Sequence, residues 1–83
     1  MTTHTAPNAY RNSSKHPIRY DRLHPGSFFR IVAEPERGVY KSRDMSIYQK
    51  SKLGFFSENI HNGQPAVLYP SALVQPLVRE KQR

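Results

Sequence analysis

Eighty-three residues allow one small domain, and the lack of cysteine excludes a disulfide framework, a thiolate-held zinc and a cysteine nucleophile. Thirteen Lys/Arg against six Asp/Glu give a net charge of +7, most of it at the ends: residues 1–22 carry +3 and 79–83 carry +2, leaving +2 for 23–78. A nearly balanced domain with two basic ends suits a polyanion or an acidic protein surface.

No apolar run approaches the roughly 20 residues of a membrane span, and no signal-peptide-like stretch opens the chain, so a cytoplasmic location without membrane association is expected. Residues 1–17 hold Thr, Ser, Asn, Pro and His with little apolar surface, which predicts a disordered basic tail. The alternation of Ile18, Tyr20 and Leu23 begins the ordered part, a β domain spanning 18–78, and 79–83 reads as a second basic tail. Pro25-Gly26 predicts a tight turn.

Ser27 to Ala33 is the strongest strand, with Phe29, Ile31 and Ala33 on one face and Phe28, Arg30 and Val32 on the other. Glu34 to Gly38 reads as a hairpin loop closed by Gly38 in the left-handed region, with Val39 to Arg43 returning antiparallel. Met45 to Gln49 is a weaker strand, and Leu53 to Ile60 another, bent near Gly54. Asn62-Gly63 predicts a two-residue type I′ hairpin, and Ala66 to Tyr69 pairs back. Pro65 stands where its missing N–H is tolerable, at a strand start or an edge. Pro70-Ser71 opens a turn of 3₁₀ helix before a short closing strand. The expected architecture is mainly β: a small antiparallel barrel or sandwich of five to six short strands.

Tyr69-Pro70-Ser71-Ala72-Leu73-Val74 resembles the end of an SH3 domain, where a strand, a Pro-Ser 3₁₀ turn and a final strand follow one another. The resemblance covers about a dozen residues and implies an SH3-like barrel. The chain has no tryptophan and no acidic recognition loop, so no peptide-binding residue carries over.

Catalysis finds little support. His4, His16, His24 and His61 have no metal-ligand spacing, no serine sits in a nucleophile elbow, and a barrel this small has little room for a substrate pocket. We therefore expect a non-enzymatic protein without metal, cofactor or small-molecule substrate. Two binding readings remain. One is a small accessory or regulatory protein that docks on the acidic surface of a larger protein or complex, plausibly one that processes nucleic acid. Its contacts would be Phe28, Phe55, Phe56 and Tyr48, because consecutive phenylalanines cannot both face inward from a regular strand. The other is direct DNA or RNA binding by residues 37–56, where Arg37, Lys41, Arg43, Lys50 and Lys52 against Asp44 give a local +4. There Tyr40 among the bases could stack on unpaired bases while the cations meet phosphates.

Overall fold

The structure, a computed structural model, describes residues 10–38, 45–53 and 56–80. They form seven strands: β1 (Tyr10–Asn12), β2 (Ile18–Arg19), β3 (Phe28–Ala33), β4 (Tyr48–Lys50), β5 (Ser57–Asn59), β6 (Pro65–Ala66) and β7 (Leu73–Arg79). Two 3₁₀ turns, Tyr20–Arg22 and Pro35–Arg37, complete the ordered elements; the described residues contain no α-helix. Every pairing is antiparallel, in the order β1-β7-β3-β4-β5-β6, with β2 also on β7 beside β1. No pairing joins β6 to β1 or β2 among the described residues, so the sheet is open.

The alternation read for β3 holds from Phe28 to Ile31; a register shift between Ile31 and Ala33 then sets Ala33 opposite Leu73, so Ala33 does not continue the face of Phe29 and Ile31. Phe29 is fully buried with Tyr20, Leu23, Leu68, Ala72 and Val74, and Ile31 packs against this main cluster. On the other face, Phe28 packs with Tyr10, Ile47, Leu77 and Ile60 in a smaller cluster. Gly26 (φ 88°) makes its turn, closed by the Ser27 N–H donating to the His24 carbonyl. Gly38 (φ 73°) caps the Pro35–Arg37 turn as expected.

Several expectations are corrected. Order begins at Tyr10, well inside the segment read as a disordered tail: β1 lies on the outer end of β7, and the Tyr10 ring, 7% exposed, covers Phe28 at 5.1 Å between centroids. Counting the segment's own apolar content ignored what it could cover, namely the outward Phe28 and Leu77. Arg79 closes β7, so the strand runs into the segment read as a C-terminal tail. No 3₁₀ turn precedes β7; a single turn does, with the Ala72 N–H on the Tyr69 carbonyl.

β7 is also seven residues long and central despite Pro76. The Pro76 carbonyl accepts from the Ser13 N–H, so the same side of Pro76 faces the gap between β1 and β2, where no ladder donor is needed. The Gln75 side chain fills that gap, donating to the carbonyls of Ser14 and Pro76.

The Asn62-Gly63 hairpin is not type I′. Gly63 has φ 74°, but no other described non-glycine residue has positive φ. A longer turn forms instead: the Gly63 N–H reaches the Asn59 carbonyl, while Asn59 Oδ1 accepts from the His61 N–H and Asn62 Oδ1 from the Gln64 N–H. Asn62 spends its side chain on its own backbone, the alternative that asparagine offers to the left-handed conformation. The return strand expected at 39–43 and the bend at Gly54 lie outside the described residues.

Candidate functional site

The open side of the sheet is spanned by the segment after β2. Lys50, on β4, sends its Nζ under this segment to the carbonyls of Tyr20 (2.9 Å) and Leu23 (2.6 Å), and over the Tyr20 ring at 4.5 Å. Tyr20 Oη in turn meets Ser57 Oγ on β5 at 2.6 Å. Burial holds the Lys50 ammonium below its usual range, with Asp21 opposing, and pushes the Tyr20 phenol up, with the Ser57 bond opposing. Both ionisable groups are committed to holding the chain together.

This removes Lys50 from the expected phosphate-binding set: only 5% exposed, its charge is answered by backbone carbonyls. The alternation of bases and rings could not reveal this, because the carbonyls come from residues 27 and 30 positions away. Arg37 is exposed but engaged. It donates to the Val67 carbonyl at 2.9 Å, pairs with Glu34 at 3.5 Å and lies over the Tyr69 ring at 5.7 Å. Lys52 is exposed and lines a groove of about 200 Å³ with Gln49, Lys50, Ser51, Phe56 and Glu58. Tyr40, Lys41, Arg43 and Phe55 lie outside the described residues.

The expected apolar anchors are largely turned inward. Phe28 belongs to the smaller core cluster, covered by Tyr10. Tyr48 stacks on Phe29 at 5.6 Å, and Phe56 is half-buried in the groove wall. Neither Phe28 nor Tyr48 stands out as an exposed anchor.

A different apolar surface is exposed in the stretch that leads from β6 back to β7. After the edge strand β6, the chain runs extended with Leu68 buried between Val67 (65% exposed) and Tyr69 (48% exposed). Pro65 and Pro70 flank them, both exposed. Arg37 grips this stretch by its bond to Val67 and its position over Tyr69, and Glu36 Oε1 accepts from Ser71 Oγ at 3.1 Å. The loop after β3 is thereby pinned to 67–71. The alternation in Ala66 to Tyr69 carried the signal, since it places Val67 and Tyr69 together on the face away from Leu68.

Comparison with protein-family models, with curated proteins and with solved structures finds no match to this chain. Among the described residues, no helix is long and apolar enough to cross a membrane.

Proposed function

We propose that this chain is a non-enzymatic accessory protein that docks on an acidic surface of a larger protein through Val67, Tyr69 and Arg37. The observation that carries the reading is the exposed Val67–Tyr69 pair held by Arg37. Tyrosine and arginine dominate the energetics of protein interfaces, and a side chain fixed before binding loses less entropy on docking. The guanidinium is anchored at three points, so the Arg37–Tyr69 pair meets a partner already ordered. The net charge of +7 steers such a surface toward an acidic partner. At the edge, Pro65 withholds a backbone donor, which disfavours indiscriminate strand addition and leaves recognition to side chains. We also read the module as SH3-like in its closing part; support comes from the Tyr69–Ala72 turn leading directly into β7.

Direct nucleic-acid binding by 37–56 is the second reading, favoured by exposed Lys52 sharing a groove with Phe56. Capture from nuclease-treated extract of the native host separates the two. With docking at 67–69, Tyr69→Ala and Val67→Ser abolish capture of a defined partner while near-ultraviolet dichroism stays native. Capture that disappears with nuclease, or that survives both substitutions, overturns the docking reading.

A further inference from the structure

The opposite edge of the sheet has a different chemistry. Residues 10–22 run along β7: Arg11 stands opposite Val78 and Arg19 opposite Leu73, and the N–H groups of Tyr20 and Asp21 continue to the carbonyls of Ala72 and Pro70. Measured along its partner from Ala72 to Arg79, at about 3.3 Å per extended residue, this edge is on the order of 26 Å long. Arg11, Lys15, Arg19 and Arg22 are exposed along it, with Arg79 at its end, against Asp21 and Glu80: five bases to two acids, a local +3. Arg19 is tied to Asp21 by two bonds, at 2.9 and 3.2 Å, whereas Arg11 only approaches Glu80 at 3.9 Å with both side chains open to solvent. Lys15, Arg22 and Arg79 have no acidic partner within 4 Å among the described residues. Between β1 and β2, Asn12, Ser13, Ser14 and Lys15 line an open concavity of about 350 Å³.

We propose that this edge binds the phosphate backbone of a nucleic acid, through phosphates and without base stacking. Both of its tyrosines point inward, Tyr10 at 7% and Tyr20 at 3% exposure. Apart from Pro17, the exposed side chains of 11–22 are polar or charged. A protein interface needs a desolvated aromatic or apolar anchor, and this edge offers only Pro17 and Val78, two small side chains without an aromatic. A phosphate backbone needs only cations spaced along an extended line, with hydroxyl and amide groups between them to position it. Recognition of this kind is independent of sequence and steep in salt. The surface meets the 67–71 stretch where the Asp21 N–H reaches the Pro70 carbonyl, but it shares no side chain with Val67 and Tyr69, so it adds a second partner to the docking reading and does not depend on it.

Binding of the full chain to a short labelled duplex of arbitrary sequence, titrated between about 50 and 200 mM salt, tests this. Lys15→Ala/Arg22→Ala should weaken binding about tenfold at the low end and lower the logarithmic salt slope by about two, while Lys52→Ala and Tyr69→Ala leave both unchanged. Neither Lys15 nor Arg22 makes a side-chain bond among the described residues, so the double variant should fold. Should it not, Arg79→Gln decides, with an expected loss of about one in slope. An unchanged slope, wild-type protein that ignores the duplex at low salt, or binding lost only with Lys52→Ala each overturns the proposal. So does poly-glutamate of matched charge bound as tightly as the duplex and lost with the same substitutions, which would make the edge a site for acidic protein.

Discussion

The two edges of this sheet use the same residue type in opposite ways. Along β1 and β2, Tyr10 and Tyr20 are core and the bases between them face solvent. Beyond β6, Tyr69 and Val67 face solvent and Leu68 is core. The phase of alternation decides each case: in Tyr10-Arg11-Asn12 the aromatic falls on the buried phase, and in Val67-Leu68-Tyr69 it falls on the exposed one. One edge therefore presents charge without an aromatic anchor and the other an anchor beside one fixed cation. On the two proposals, a small chain carries two recognition chemistries because an open sheet has two ends, each with its own register.

The largest effect that separates the edges is on stability. Tyr10→Ala removes the ring that covers Phe28 and should cost about 3 kcal/mol, the range for losing a buried aromatic. Tyr69→Ala, on a half-exposed ring, forfeits chiefly the cation–π contact with Arg37 and should cost about 0.5–1 kcal/mol. Urea unfolding of both variants measures the contrast. Equal costs would mean that the edges do not differ in the way their burial indicates.

Next comes the clasp that lays residues 20–23 across the sheet. Lys50→Met keeps the apolar stem and removes the ammonium, leaving the Leu23 carbonyl unanswered while the Tyr20 carbonyl keeps the Leu23 N–H. The expected loss is about 1–3 kcal/mol, since a buried polar group deprived of its partner costs about that much. Amide exchange should accelerate first at 20–23 and only later around 67–69. Simultaneous opening of both segments would show that the clasp supports the whole sheet and not one edge.

A smaller effect tests the turn that delivers the chain to β6. Gly63→Val has room, since a Cβ there would meet only Glu58 Oε2 at 3.8 Å, so the cost is the left-handed backbone itself. About 1 kcal/mol is expected, because a branched side chain resists that conformation. Asn62→Ala should cost about as much as one ordinary hydrogen bond, roughly 1 kcal/mol or less. A type I′ turn would add the strain of alanine at positive φ.

How far the sequence could be read follows from these residues. Local chemistry was legible: the faces of β3 from Phe28 to Ile31, the positive φ at Gly26, Gly38 and Gly63, and Pro65 at an edge each follow from a residue and its immediate neighbours. Features set by distant partners were not. Tyr10 is ordered because Phe28 and Leu77 need cover, Pro76 sits in a central strand because β1 and β2 leave a gap beside it, and Lys50 is buried because carbonyls of 20 and 23 arrive over it. The candidate site suffered most, since a basic side chain in an alternating strand reads as exposed until the segment packed against it is known.

The smallest predicted effect is the pH dependence of the bonds joining the segment after β2 to β4 and β5. Burial lowers the Lys50 pKa, with Asp21 opposing, so the folded state holds that proton less tightly than the unfolded chain does. The stability linked to Lys50 is then present above the usual lysine value of about 10.4 and lost as pH falls through the lowered folded value. The neutral amine still has two hydrogens for its two carbonyls, so the clasp survives deprotonation. Burial raises the Tyr20 pKa, with the Ser57 bond opposing, so its contribution is fully present below the usual value of about 10 and lost as pH rises through the raised one. Stability should therefore climb as pH approaches about 10 from below and then turn down. Urea midpoints followed across this range should lose the climb in Lys50→Met and the downturn in Tyr20→Phe. A wild-type profile that falls steadily through the lysine window would mean that the Lys50 charge is stabilised by its carbonyls more than burial penalises it. The edge carrying Tyr20 would then be held by an ionic clasp, and salt would weaken it together with the proposed phosphate-binding surface it supports.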